Sequence, residues 1–226
     1  MQHFMARFIF FLTTLLIMQT SSNAQATKSY LALGDSYTIG ESVPIYENFP
    51  YQTVQLLRAK GFLVQAPEIV ARTGWTTDEL MAGINKTSLL KTYDLVTLLI
   101  GVNNQYRGRS LEEFGKQFEE LLIKAIAFSG GIKKHVYVIS IPDWGATPFA
   151  EGRDRKKIAH EIDAFNNLKK KIAEKNDVKF IEITEASRDA ANDATLVAKD
   201  KLHPSGKEYA KWAQKLANAV VNTTDH

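Results

Sequence analysis

Short apolar runs alternate with longer amphipathic segments along most of the chain, and this alternation limits the folds available to it. The runs YDLVTLLIG (93–101) and HVYVISIP (135–142) are almost continuously apolar, as expected of strands buried on both faces of a sheet. Residues 110–131 and 154–176 have the periodicity of amphipathic helices. Strands that alternate with helices favour a parallel sheet covered on both faces. We therefore predict an α/β fold, a three-layer α/β/α sandwich with about five parallel strands.

Local signals refine this outline. The second predicted strand, residues 63–71, contains Pro67, and a proline in a strand indicates the edge of a sheet. Thr76 and Glu79 have the spacing of a capping box, which predicts a helix beginning after Thr76. Ser110 and Glu113 have the same spacing and predict the start of another helix.

The first 24 residues differ from the rest of the chain. Arg7 precedes an apolar run of 11 residues, 8–18, and small and polar residues follow it. This order is typical of a secretory signal peptide cleaved after Ala24 or Ala26. The apolar run is shorter than the roughly 20 residues of a membrane-spanning helix, although an uncleaved anchor is the alternative. We predict a signal peptide at 1–24 and a single catalytic domain at 25–226. The mature protein would be exported to the periplasm or outside the cell, with no stable membrane span.

Composition excludes several classes of function. A length of 226 residues fits one domain with a large core. The net charge is only +3, without a strongly basic block, so we expect no nucleic-acid partner. The absence of cysteine excludes a thiol nucleophile and cysteine metal sites. No sequence feature indicates an oligomeric state.

Polar residues follow the predicted strands, at the edge where ligands collect in open α/β sheets. Ser36 follows the first strand, Gly74 the second and Asn103 the third, whereas Asp200 and His203 come after the fifth. A serine becomes nucleophilic near neutral pH when a base accepts its proton and a third group orients that base. The short spacing between Asp200 and His203 allows one turn to present both groups, although a helix-capping turn is the alternative.

An acyl-transfer site also needs donors for a developing oxyanion. The Ser36 N–H, the Gly74 N–H and the Asn103 side chain are candidates, although Gly74 as a simple turn glycine and Asn103 as a loop cap remain alternatives. Asp35 adjoins Ser36, so its side chain should diverge from the serine. We interpret Asp35 as organising the turn.

These residues lie in four blocks that resemble those of the SGNH hydrolases, the GDSL-type esterases and lipases. The blocks are GDSYT (34–38), RTGWT (72–76), GVNN (101–104) and DKLHP (200–204). The resemblance implies a flavodoxin-like fold and hydrolysis of esters or thioesters with no metal and no cofactor. It implies Ser36 as nucleophile, His203 as base and Asp200 as orienting acid. It also implies an oxyanion hole made by Ser36, Gly74 and Asn103. Asn104 departs from the pattern, because the third block usually ends in aspartate.

The leading hypothesis is therefore a secreted serine esterase acting on a small-molecule ester, either an acyl lipid or an acylated carbohydrate. The alternative is a non-catalytic carbohydrate- or lipid-binding domain on the same fold. A nucleotide or flavin binder is disfavoured, because neither G-x-x-x-x-G-K-[ST] nor a helix-opening G-x-G-x-x-G is present. Five aromatic residues are candidates for substrate binding, with loop anchoring as the alternative for each: Tyr37, Trp75, Tyr106, Trp144 and Phe149.

Overall fold

The computed structural model of the chain describes residues 26–224. The predicted signal peptide, residues 1–24, lies outside the described residues. Within residues 26–224, no helix is both long enough and apolar enough to cross a membrane.

Five strands form one sheet in which every neighbouring pair is parallel. The strands are β1 (Tyr30–Asp35), β2 (Glu68–Arg72), β3 (Leu95–Leu99), β4 (Val136–Ile139) and β5 (Lys179–Ile181). Their order across the sheet is β2-β1-β3-β4-β5, so the chain winds outward in both directions from β1. This confirms the predicted α/β class and the predicted number of strands.

Helices cover both faces of the sheet. They are α1 (Ser36–Ile39), α2 (Phe49–Ala59), α3 (Thr77–Lys86), α4 (Val102–Tyr106), α5 (Leu111–Phe128), α6 (Arg155–Lys175), α7 (Thr184–Ser187) and α8 (Gly206–Thr224). α2 and α8 pack together, whereas α5 packs against both α3 and α6 in a second group. The helices α1, α4 and α7 are only about one turn long.

Burial along the strands follows their place in the sheet. Every residue of β1, β3 and β4 is buried, because helices cover both faces of these central strands. β2 is partly exposed and pairs only with β1, which confirms the edge position expected from Pro67. β2 begins at Glu68, so the apolar residues before Pro67 do not extend it.

The predicted helix starts are confirmed. The Glu79 carboxylate accepts a hydrogen bond from the Thr76 N–H at 2.9 Å, where α3 begins. Ser110 Oγ accepts from the Glu113 N–H at 3.1 Å, where α5 begins. Each bond satisfies a backbone donor that the helix or its cap leaves unpaired. These two helices are therefore positioned by residues visible in the sequence.

Candidate active site

Ser36 is the first residue of the one-turn helix α1, directly beyond the end of β1. Asp35 Oδ1 accepts a hydrogen bond from the Tyr37 N–H at 3.0 Å and so caps α1. Gly40 ends the helix in the left-handed conformation, at φ +76°. The turn that Asp35 organises therefore presents Ser36 at the carboxyl edge of the sheet, where only 5% of the residue is exposed.

Gly34 lies inside β1 and is needed there for close packing. β1 continues through Gly34, which pairs with Ala71 on one side and Leu99 on the other. A Cβ atom at residue 34 would lie 2.1 Å from Thr38 Oγ1 and 2.3 Å from the Leu99 carbonyl oxygen. Gly34 is thus required by the close approach of α1 and β3, and the chain turns only after Asp35.

Asp200 and His203 form a hydrogen-bonded pair in the loop before α8. Asp200 Oδ2 lies 2.6 Å from His203 Nδ1, and Oδ1 accepts from the N–H groups of Leu202 and His203 at 3.0 Å. Ser42 Oγ donates to the same carboxylate at 2.7 Å. Burial raises the pKa of Asp200, but these donated hydrogen bonds outweigh it and lower the pKa to about 2. Asp200 is therefore a carboxylate at neutral pH.

Ser36 and His203 line the same cleft, which has a volume of about 180 Å³. Asp200 binds one imidazole nitrogen of His203, which leaves Nε2 for the cleft. Within residues 26–224, neither Ser36 Oγ nor His203 Nε2 has a hydrogen-bond partner. In enzymes without substrate, hydrogen bonds between such groups often form only when the substrate arrives. The cleft is lined by Ser36, Tyr37, Val102, Asn103, Tyr106, Trp144, Phe149, Leu202 and His203.

Asn103 brings a side-chain amide to this cleft. Its Nδ2 donates one hydrogen bond to the Trp75 carbonyl oxygen at 2.9 Å, which fixes the amide and leaves the second N–H for a ligand. Gly74 precedes Trp75 and has φ +84°. The Arg107 guanidinium at the end of α4 donates to the Gly74 carbonyl oxygen at 2.5 Å. The side chains of Asn103 and Arg107 thus hold the loop that contains Gly74 and Trp75. Gly74 itself does not line the cleft.

Asn104 faces the protein interior and is fully buried. Its Oδ1 accepts from the Thr77 N–H at 3.1 Å, and its Nδ2 donates to Thr77 Oγ1 at 2.8 Å. These bonds join α4 to the first residue of α3. Neighbouring asparagines therefore have separate environments: Asn103 lies in the cleft, and Asn104 ties the loop to the scaffold.

Four of the five predicted aromatic residues line the cleft, namely Tyr37, Tyr106, Trp144 and Phe149. The Tyr37 ring also contacts His203, with ring centroids 5.3 Å apart. Trp75 departs from the prediction. Its indole packs on Gly83 of α3, so closely that a Cβ atom at residue 83 would lie 2.2 Å from the ring. Trp75 therefore anchors its loop by its side chain and contributes to the cleft only through its carbonyl contact with Asn103.

Lys169 lies fully buried beneath the strand ends, a feature that the sequence analysis missed. Its Nζ donates to the carbonyl oxygens of Ile100 and Ile139, at 3.0 and 2.8 Å. Burial lowers the pKa of Lys169 to about 7, and the charge of Asp35 opposes that shift. Burial likewise raises the pKa of Asp35 to about 7. The signal was present in the sequence, because Lys169 follows Phe165 by four residues on the buried stripe of α6.

Residues 26–224 contain no group of three or more histidine, aspartate or glutamate side chains placed to hold a metal ion. The arrangement that the structure offers is a serine and an oriented imidazole on one cleft, with a fixed amide beside them. Acyl transfer through a serine nucleophile is the chemistry that such groups perform.

Solved structures with the same fold include several ester hydrolases. A lipase/acylhydrolase from Enterococcus faecalis has a TM-score of 0.69 at 18% identity, over 87% of this chain and 96% of that one. An acetylxylan esterase from Geobacillus stearothermophilus has a TM-score of 0.64 at 19% identity, over 89% and 96%. The psychrotrophic esterase EstA from Pseudoalteromonas sp., in a structure inhibited by monoethylphosphonate, has a TM-score of 0.62 at 16% identity, over 88% and 100%. At these identities the likeness concerns the fold.

The comparison with curated protein sequences gave no match. The family model described as GDSL-like Lipase/Acylhydrolase family matches residues 32–211, a span that contains Ser36, Asn103 and His203. The chain therefore belongs to the GDSL-like lipase/acylhydrolase family and is a carboxylic ester hydrolase.

Proposed function

We propose that this chain is an exported serine esterase that hydrolyses small carboxylic esters or thioesters through an acyl-enzyme on Ser36. The observation that carries the proposal is the Asp200–His203 pair, whose imidazole lines the same cleft as Ser36. The same cleft holds the Asn103 amide, whose second N–H is available to a ligand.

In the first half of the reaction, Ser36 Oγ attacks the ester carbonyl carbon while His203 Nε2 accepts the hydroxyl proton. The carbonyl oxygen gains negative charge and is stabilised by the Ser36 N–H and Asn103 Nδ2, which line the cleft, and by the Gly74 N–H from the loop that Asn103 and Arg107 hold beside it. His203 then gives its proton to the departing alcohol oxygen, or to the sulfur of a thioester, and the C–O or C–S bond breaks. The acyl group remains on Ser36.

In the second half, water replaces the alcohol. His203 Nε2 accepts a proton from water as the water oxygen attacks the acyl carbon. The bond between that carbon and Ser36 Oγ then breaks, His203 returns the proton to Oγ, and the carboxylic acid leaves. Asp200 stays ionised throughout, consistent with its pKa of about 2, and accepts the hydrogen bond from Nδ1. This bond selects the tautomer of His203 whose Nε2 is a base.

The size of the cleft favours a short acyl group. An apolar cavity of about 150 Å³ accommodates benzene, so a cleft of about 180 Å³ suits an acyl group of similar bulk. Aromatic rings line much of the wall and suit an apolar chain or the face of a sugar ring. A short-chain acyl lipid and an acylated carbohydrate are both compatible substrates. The acetylxylan esterase with the same fold is consistent with the second.

Export rests on the N-terminal sequence, in which Arg7 and an apolar run precede small residues. We expect the native protein to begin at Gln25 or Thr27. Mass spectrometry of protein from its natural source measures this directly, and a retained Met1 would contradict cleavage.

Steady-state kinetics on 4-nitrophenyl acetate test the catalytic proposal. Ser36→Ala and His203→Ala should each lower turnover by about four to six orders of magnitude, with melting temperatures near that of the parent protein. Ser29→Ala is the matched control, because Ser29 lies just before β1, at the opposite end of that strand from Ser36. We expect it to retain turnover. Full activity in Ser36→Ala would refute a serine nucleophile at this position.

A further inference from the structure

Three aromatic rings of the cleft surround one arginine. The Arg153 guanidinium lies 5.4 Å from the ring centroid of Tyr106, 5.3 Å from that of Trp144 and 5.4 Å from that of Phe149. The rings also contact one another, with centroids 5.4 Å apart for Tyr106 and Trp144 and 6.0 Å apart for Trp144 and Phe149. Such distances are those of cation–π contacts, which hold a guanidinium in place.

Arg153 lies at the mouth of the cleft. It is exposed and does not line the cleft itself, but the three rings that it contacts do. Tyr106 is 47% exposed and Phe149 is 37% exposed, so these rings reach from the cleft wall to the surface where Arg153 lies. A substrate that extends from Ser36 past these rings therefore reaches the guanidinium.

The guanidinium has unused hydrogen-bonding capacity. Among the described residues, its one hydrogen bond is from Nη2 to the Tyr106 hydroxyl, at 3.3 Å, and it has no ion-pair partner. Glu151 and Asp154 are its acidic neighbours in the sequence, and neither pairs with it. Asp154 Oδ1 instead accepts from the Lys157 N–H and caps α6. The residues that line the cleft include no aspartate or glutamate, so no carboxylate there competes for Arg153.

We infer that Arg153 binds a carboxylate on the ester substrate and makes the enzyme selective for anionic esters. This inference rests on the proposed esterase function. A guanidinium presents a planar fork of donors that matches a carboxylate, and the three rings hold that fork at the mouth of the cleft. The carboxylate belongs either to the acyl part or to the alcohol part of the ester.

Two matched pairs of substrates show whether the recognised carboxylate belongs to the acyl part or to the alcohol part of the ester. The acyl pair is the 4-nitrophenyl monoester of adipic acid and its methyl ester, followed by release of 4-nitrophenolate. The alcohol pair is acetylated galacturonic acid and acetylated galactose, followed by release of acetate. In each pair the specificity ratio is kcat/KM for the anionic ester divided by kcat/KM for the neutral one.

Arg153→Gln should lower the specificity ratio by about tenfold in one pair and leave kcat/KM for the neutral esters within about threefold. Lys156→Gln is the matched control. Lys156 is an exposed cation three residues away that has no ion-pair partner among the described residues. Its removal should leave the ratio within about twofold, because a general positive field at an exposed surface has a small effect.

Four results would overturn the inference. One is an unchanged ratio in both pairs for Arg153→Gln. Another is an equal fall of the ratio in Lys156→Gln, which would assign the preference to general electrostatics. The third is an equal loss of kcat/KM on neutral and anionic esters in Arg153→Gln, which would mean that Arg153 only supports the aromatic rings that line the cleft. If the parent enzyme hydrolysed 4-nitrophenyl acetate but neither anionic ester, that result would also refute the anion site and leave the proposed esterase function standing. Loss of Ser36 dependence would refute the proposed function instead.

Discussion

Replacing Asn103 with alanine should impair catalysis and leave the fold nearly intact. The substitution removes the amide that lines the cleft, together with one hydrogen bond to the Trp75 carbonyl oxygen. Loss of one oxyanion donor lowers turnover by about 10²–10³, or roughly 3–4 kcal/mol. Loss of one partly buried hydrogen bond costs about 1 kcal/mol of stability, or about 2–4 °C in melting temperature. KM should change little, because the donor acts mainly in the transition state.

Asn104→Ala should instead lower stability more than it lowers turnover. Asn104 is fully buried, and its removal leaves the Thr77 N–H without an acceptor, whereas the Thr77 hydroxyl loses one donor but still donates to Gln117 Oε1. The unpaired N–H costs about 1–3 kcal/mol in addition to the lost bond to the hydroxyl, so the melting temperature should fall by several degrees more than in Asn103→Ala. The reacting groups remain in the cleft, so the folded fraction should retain turnover within about tenfold, or 1.4 kcal/mol.

Asn104→Asp tests the residue type that the family usually has at this position. An aspartate keeps the acceptor for the Thr77 N–H, but it cannot donate to Thr77 Oγ1 as Asn104 does. The Thr77 hydroxyl, which now donates to Gln117 Oε1, can turn to donate to the aspartate. The Gln117 amide can then turn to donate to Thr77. We therefore expect turnover within about tenfold of the parent enzyme.

Steady-state kinetics on 4-nitrophenyl acetate and thermal melts of the three variants separate the two roles. A larger loss of turnover in Asn104→Ala than in Asn103→Ala, at equal melting temperatures, would show that the oxyanion assignment is displaced by one residue.

Three other predictions concern the buried lysine, the orienting acid and metals. Lys169→Met should lower the free energy of unfolding, measured in urea, by at least about 2 kcal/mol, because the buried carbonyl oxygens of Ile100 and Ile139 lose their donor; an unchanged value would refute this role of Lys169. Asp200→Asn should lower turnover by about 10⁴ and abolish an acid-dependent part of stability. The Asp200 pKa is depressed to about 2, so this part is complete above the ordinary value near 4 and disappears as pH falls towards 2; equal acid unfolding of variant and parent would contradict it. Exhaustive chelation should leave activity unchanged, and a loss reversed by a divalent ion would contradict a metal-free mechanism.

Local patterns in the sequence were sufficient for most of the architecture. The buried runs that form β3 and β4 are apolar because both faces of each strand are covered. The starts of α3 and α5 were predictable because a helix end needs a capping group from a nearby residue. The candidate site could be predicted from the sequence for a related reason. Parallel strands bring their carboxyl ends to one edge, so the residues that follow them in the sequence meet in space.

Features that depend on contacts between distant segments could not be predicted in the same way. Trp75 lies in a site-forming loop, but whether its indole faces the cleft depends on the space above Gly83. The requirement for Gly34 arises from Leu99, a residue on a neighbouring strand. Arg153 is the first of four basic residues around the start of α6, and its contacts with three rings depend on how the segment between β4 and α6 packs against α4. Sequence periodicity carries no information on such contacts between distant residues.

Covalent labelling with an activated phosphonate tests the serine nucleophile most directly. Phosphonates mimic the tetrahedral intermediate of acyl transfer and become bonded to the attacking serine oxygen. After digestion, peptide mass spectrometry identifies the labelled residue and its stoichiometry. We expect one phosphonyl group per chain, on Ser36, with complete loss of activity. Labelling should be absent in Ser36→Ala and slower by at least about 10³ in His203→Ala, which lacks the base. Inactivation with the label on another residue, or equal labelling of Ser36→Ala, would contradict catalysis by Ser36.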